Sequence, residues 1–201
     1  MQVSRPVMLF LLSAIGLMCL PHYAHLPVAI ISYFYALLAW RFVCVFKPEK
    51  LPNKWLLLLL TIGAMVLLYL QHHSLFGRDG GTRLFVLALG LKLLEIKSER
   101  DLYLVCFLAF IVATSQFLYE QNVFMAVYIV AVSASLLAAL VCINRLDPKP
   151  WAALKTSSLI VGQALPMAIV LFILFPRVEA PRWMLLGYFH QRQYQEMSDN
   201  T

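Results

Sequence analysis

Charge is scarce in this 201-residue sequence: acidic and basic side chains together make up 13% of it, against about 25% in soluble domains. A chain so poor in charge, with 62% apolar residues and a mean hydropathy of +0.78, cannot hide its apolar surface in a water-soluble fold of this size. Cysteine is scarce too. Cys19, Cys44, Cys106 and Cys142 each lie inside an apolar run, and none forms a Cys-x-x-Cys spacing. That argues against a disulfide framework or a zinc site and for small buried apolar residues. The net charge is +6, but no stretch interleaves basic with aromatic residues, so no nucleic-acid surface is expected. Gly77-Arg78-Asp79-Gly80-Gly81-Thr82 lacks the Gly-Lys-Ser/Thr ending of a phosphate loop. It reads as a turn, with Asp79 or Thr82 capping the following helix. No period of 20–50 residues indicates a repeat array.

Long apolar runs are abundant. Seven can be drawn: Pro6–Leu20, Leu26–Phe46, Trp55–Leu70, Arg83–Ile96, Glu99–Tyr119, Val123–Ile143 and Ser157–Phe175. A bilayer span needs about 20 residues. The second, fifth, sixth and seventh runs reach that directly, and the others must borrow flanking residues or be shielded by neighbours. Breaks separate the runs. Pro21 and Pro27 bound one turn, Lys47–Lys54 forms a Pro-broken polar loop, and Asn144–Pro150 carries two prolines. Between the fourth and fifth runs the break is a helix start, with Ser98 as cap and Asp101 three residues on. Arg5 followed by Val7–Leu20 has the basic and apolar parts of a signal peptide. The exit at Leu20-Pro21-His22-Tyr23-Ala24 has no paired small residues, so the run reads as an uncleaved span. The fold class is therefore all-α: a polytopic transmembrane bundle of about seven spans, with six as the alternative.

Let each run cross once. One side then collects eleven basic residues: Arg5, Arg41, Lys47, Lys50, Lys54, Lys92, Lys97, Arg100, Arg145, Lys149 and Lys155. The other collects five: Arg78, Arg83, Arg177, Arg182 and Arg192. Basic short loops stay in the cytoplasm. This places the N-terminus inside, residues 1–176 in the membrane, and the polar tail 177–201 on the outer side.

Several residues qualify for chemistry. Lys92 and Glu95 are three apart on one helix face, Glu95 and Glu99 four apart, and Lys97 and Asp101 four apart. With Arg100 they form a candidate polar cluster at the inner face. Such charges either build a functional site within the bundle or end a short helix and reach to the headgroups, the commoner case. Arg41 is expected to snorkel to the cytoplasmic surface. Ala131, Ser135 and Ala139, four apart beside Ala134 and Ala138, are candidates for close helix packing. Pro166 should kink the seventh helix, and Gln116 and Gln163 are placed to hydrogen-bond between helices. His22, His25, His72, His73 and His190 all fall outside and read as interfacial polar residues, with no acidic or cysteine ligand at a telling spacing. No nucleophile–base arrangement emerges, so no catalytic residue, metal or cofactor is expected.

Several motifs then occur in a recognisable order. They are Gly77-Arg78-Asp79-Gly80-Gly81, Leu91-Lys92-Leu93-Leu94-Glu95, Glu99-Arg100-Asp101, Gln116-Phe117-Leu118 with Gln121, Ala164-Leu165-Pro166, and Leu174-Phe175-Pro176-Arg177. Together they resemble the N-terminal membrane region of bacterial transglutaminase-like membrane proteins of the TgpA type, over residues 20–201. Met197-Ser198-Asp199 is similar to the opening of that family's next domain. The resemblance implies helices that anchor a large periplasmic domain with a papain-like Cys-His-Asp site, none of which has a counterpart here. The polar end at Thr201 then looks like a truncation. The function expected is an inner-membrane anchor and scaffold, in contact with lipid and with that absent domain. The alternative is a small transporter or lipid-handling protein working through Lys92, Glu95 and Asp101.

Overall fold

In the computed structural model, residues 4–70, 78–120, 122–144 and 150–174 are described. They form seven α-helices: α1 (Arg5–Cys19), α2 (Val28–Phe46), α3 (Lys54–Leu70), α4 (Arg78–Glu95), α5 (Glu99–Ser115), α6 (Val123–Asn144) and α7 (Pro150–Leu174). Short 3-10 turns follow α1 (Leu20–Ala24), α2 (Pro48–Lys50) and α5 (Gln116–Leu118). No strand occurs among the described residues, so the all-α expectation holds. The predicted readings of His72, His73, Gln121, His190 and the tail 177–201 lie outside the described residues, as does the 176/177 boundary.

Local chemistry sets the helix ends. Pro6 stands in the first turn of α1, where its missing N–H costs nothing. Pro27 precedes α2, and Lys47-Pro48 ends it. The Asn53 side chain accepts from the Lys54 amide at the start of α3. Two helices begin a turn or more ahead of their apolar runs. α4 starts at Arg78 and passes through Gly80 and Gly81, so the expected turn is absent. Thr82 lies inside the helix and is buried, rather than capping it. α7 starts at Pro150, seven residues ahead of Ser157. The proline read as a breaker serves as the first helical residue.

Among the described residues, five segments are long and apolar enough to cross a membrane: Arg5–Ala24, Val28–Phe46, Glu99–Leu118, Val123–Asn144 and Trp151–Val170. α3 is a shorter apolar helix. α4 opens on the polar run Arg78-Asp79-Gly80-Gly81. At 1.5 Å per residue these two fall just short of a hydrocarbon core about 30 Å thick.

The chain divides into two units, Met1–Val161 and Gly162–Thr201. In the first, α2 packs most extensively on α4, and α1 on α6, while α4–α5 and α5–α6 complete the bundle. The core holds Leu11, Ile15, Phe34, Leu89, Leu93, Val105 and Leu136. Tyrosines stitch helices at depth. Tyr33 donates to the Leu60 carbonyl at 2.7 Å, Tyr35 to that of Gly16 at 2.9 Å, and Tyr128 to that of Leu17. Val7, Ala138, Cys142 and Ala153 form a second small cluster joining α1, α6 and the start of α7. All four cysteines are buried. In the second unit the described residues are the C-terminal part of α7, which runs unbroken through Pro166.

Outside the bundle core, large apolar side chains stand open. On α3 they include Leu59, Ile62, Met65 and Tyr69, and on other helices Phe107, Phe124 and Val127. Water would penalise such a surface heavily, whereas lipid covers it without penalty. The chain is a membrane protein.

Candidate functional site

The ends of α1, α2, α4 and α5 that carry Arg5, Arg41, Glu95 and Ser98 lie together, and the predicted polar cluster sits among them. Ser98 has extended backbone geometry and starts α5 with a complete capping box. Its hydroxyl accepts from the Asp101 amide at 3.4 Å, and the Asp101 carboxylate accepts from the Ser98 amide at 3.0 Å. The same carboxylate accepts from the Lys97 amide at 3.1 Å and from the Ser98 hydroxyl at 2.8 Å. Its other oxygen lies 3.3 Å from the Lys92 ammonium, which also donates to Glu95 at 2.9 Å. Asp101 thus completes the cap that Ser98 begins and holds the last turn of α4 to α5. The Lys92 side chain is 23% exposed and that of Asp101 20%, against 55% for Glu95. Lys92, Glu95 and Asp101 are brought together. Glu99 and Arg100 are exposed and stand apart from that triad.

Two cavities flank this junction. One of about 310 Å³ is lined by Lys54, Leu57, Glu95, Lys97 and Asp101. The other, of about 330 Å³, is bordered by Arg5, Arg41, Lys97 and Glu99. Arg41 does not snorkel: its side chain turns into the bundle, is buried, and its Nη2 approaches the Ile96 carbonyl at 3.5 Å. The physical reason is packing: α2 lies most extensively against α4, which sets Arg41 beside Ile96 and the cavity at the α4–α5 turn and encloses its side chain.

At the opposite end of the bundle, His22 is buried within the 3-10 turn after α1, with Nε2 3.3 Å from the Ser115 hydroxyl. His25 stacks on Tyr119 at 4.9 Å between ring centres, and its Nε2 lies 3.4 Å from a Glu120 oxygen. The interfacial reading fails for His22, which the α1–α5 contact encloses, and an acidic neighbour stands beside His25. Glu120 was missed because it is remote in sequence. Gln116 is buried, but neither side-chain polar atom has a hydrogen-bond partner among the described residues. Gln163 is exposed. Neither makes the expected interhelical bond among the described residues. Of the packing candidates, Ala139 is fully buried and Ser135 partly so, with its hydroxyl on the Ala131 carbonyl, while Ala131 is exposed. Pro166 is exposed in α7.

Comparison with known proteins agrees with the resemblance. The "Protein-glutamine gamma-glutamyltransferase" of Pseudomonas aeruginosa is 34% identical over 186 residues, which is 91% of this chain and 28% of that protein. The chain therefore spans little more than a quarter of its relative, and the activity in that name is said of the relative's whole length. No solved structure matches the chain. The family described as TgpA N-terminal domain matches residues 10–199. The chain belongs to the TgpA N-terminal domain family: it is a membrane-associated module of a transglutaminase-like protein, and its match lies in that N-terminal domain rather than in a catalytic one.

Proposed function

We propose that these residues are the multi-pass inner-membrane anchor and scaffold of a transglutaminase-like protein, and that they present a catalytic domain, encoded beyond residue 201, to the periplasm. The observation that carries this reading is the family match over residues 10–199 in a chain whose helices expose apolar surface all along their length. An anchor needs lipid-facing helices and a rigid exit, and it needs no reactive group. The charges at the α4–α5 junction fit that role. Lys92 is neutralised by two carboxylates, and Asp101 is consumed by backbone amides. A transport pathway would instead keep such charges available to a substrate. Seven crossings, with the N-terminus inside, agree with the excess of basic residues in the inner loops.

Reporter fusions test the arrangement. Alkaline phosphatase fused after Arg177 should be active and exported, while the same enzyme fused after Lys149 should be inactive, with the opposite pattern for green fluorescent protein. Phosphatase activity after Lys149 but not after Arg177 would reverse the topology and remove the presenting role.

A further inference from the structure

The bundle end that carries Arg5, Arg41 and Ser98 holds a buried cation that makes no ion pair among the described residues. Arg41 is 7% exposed. Its one hydrogen bond among the described residues is the 3.5 Å approach to the Ile96 carbonyl, at the limit of such a bond. Its Nε is buried and has no partner among the described residues. No carboxylate among the described residues lies within ion-pair distance of it. A guanidinium has five donors in a planar fork, and leaving it buried and unpaired is costly. Arg41 borders the cavity of about 330 Å³, within the size range of small-molecule sites. Arg5 and Lys97 border the same cavity, against a single carboxylate, Glu99. The first turn of α5 also reaches it through Ser98 and Glu99, adding the positive end of a 17-residue helix. Its remaining walls include Met8, Val45, Leu51 and Leu102, which suit hydrocarbon.

We propose that this cavity binds a phosphate group, and specifically the headgroup phosphate of an anionic phospholipid whose acyl chains lie along the apolar wall. Arg41 forms the buried clamp, and Arg5 and Lys97 form the exposed rim. The guanidinium fork matches two phosphate oxygens at once, and the site stands at helix ends, where headgroups lie. The proposal uses residues outside the Lys92 triad and does not depend on the anchoring role.

The test is native mass spectrometry of the full chain released from nanodiscs of phosphatidylcholine with phosphatidylglycerol. Phosphatidylglycerol should be retained over phosphatidylcholine by about tenfold, and Arg41→Gln should abolish that preference. Arg41→Lys should retain only part of it, because an ammonium lacks the fork. The double variant Arg5→Gln/Lys97→Gln changes exposed residues, so it keeps its fold and should lose a few-fold. Lys155→Gln should change nothing. Thermal midpoints add a second readout: phosphatidylglycerol should raise that of the native chain and leave that of Arg41→Gln unmoved. Inorganic phosphate and glycerol 3-phosphate form the soluble arm. Displacement of the lipid by either at matched concentration would keep the phosphate chemistry and overturn the lipid assignment. Equal retention of the two lipids would overturn the whole proposal. So would unchanged preference in a folded Arg41→Gln protein or, should that variant not fold, in the double variant.

Discussion

Gly90→Leu is expected to cost about 3 kcal/mol of folding free energy, the upper end for overpacking a tight core. α2 and α4 form the most extensive helix pair, and Gly90 faces the α2 side chains Phe34 and Leu37. A Cβ placed there would stand 3.1 Å from Leu37 Cδ1 and 3.2 Å from Phe34 Cδ2. Phe34 is completely buried and cannot withdraw. Leucine would therefore force the two helices apart. In lipid the loss is not one of hydrophobic transfer, since a leucine is as well solvated by acyl chains as by protein. What is lost is the dispersion contact between close-packed helices. Gly81, in the same helix, has nothing within 4 Å of its Cβ position, so Gly81→Leu serves as the control. Thermal midpoints in detergent should drop sharply for Gly90→Leu and little for Gly81→Leu. Equal midpoints would mean that α2 and α4 do not cross where the structure places them.

Asp101→Lys should cost about 1–3 kcal/mol, in two parts. Removing the carboxylate leaves the Lys97 and Ser98 amides, just ahead of the helix, without their acceptor and breaks the capping box, worth about 1–2 kcal/mol. Replacing an ion pair at 3.3 Å by two ammonium groups accounts for the rest. That pair is partly exposed, so its share is about 0.2–1 kcal/mol. Asp101→Asn keeps a short side-chain acceptor and loses the charge, and it should cost roughly a third as much. Combining Asp101→Asn with Lys92→Met isolates the pair, since these residues touch and their effects should not add. An Asp101→Lys protein within about 0.5 kcal/mol of the native chain would remove the hinge pin between α4 and α5.

The helices themselves were legible because proline and charge interrupt the apolar runs at Pro21, Lys47-Pro48 and Ser98. Their ends were less so: Pro150 and Gly80-Gly81 read as breakers, yet each lies within a helix. The Ser98–Asp101 cap and the Lys92–Glu95 pair were also legible, since both depend on three-residue spacings within one helix start or turn. What the sequence hid is which way a helix faces. α6 is apolar on nearly all sides, and α2 is too apart from Arg41 and a few hydroxyl groups, so no periodicity separates core from lipid. Arg41 therefore read as a snorkelling side chain, and Ala131 as equivalent to Ala139. His22 beside Ser115, and His25 beside Glu120, join residues more than 90 positions apart, and such pairing exists only once α1 and α5 have packed.

The central claim is that acyl chains cover the outward faces of this bundle. Photolabelling with a diazirine carried on lipid acyl chains, mapped residue by residue by mass spectrometry, tests it directly. Label should fall on Leu59, Ile62, Met65, Phe107 and Val127, which stand open on three helices. Leu89, Leu93, Ala109 and Leu136, all fully buried, should receive none. Label spread evenly over both sets, or confined to the second, would contradict the account.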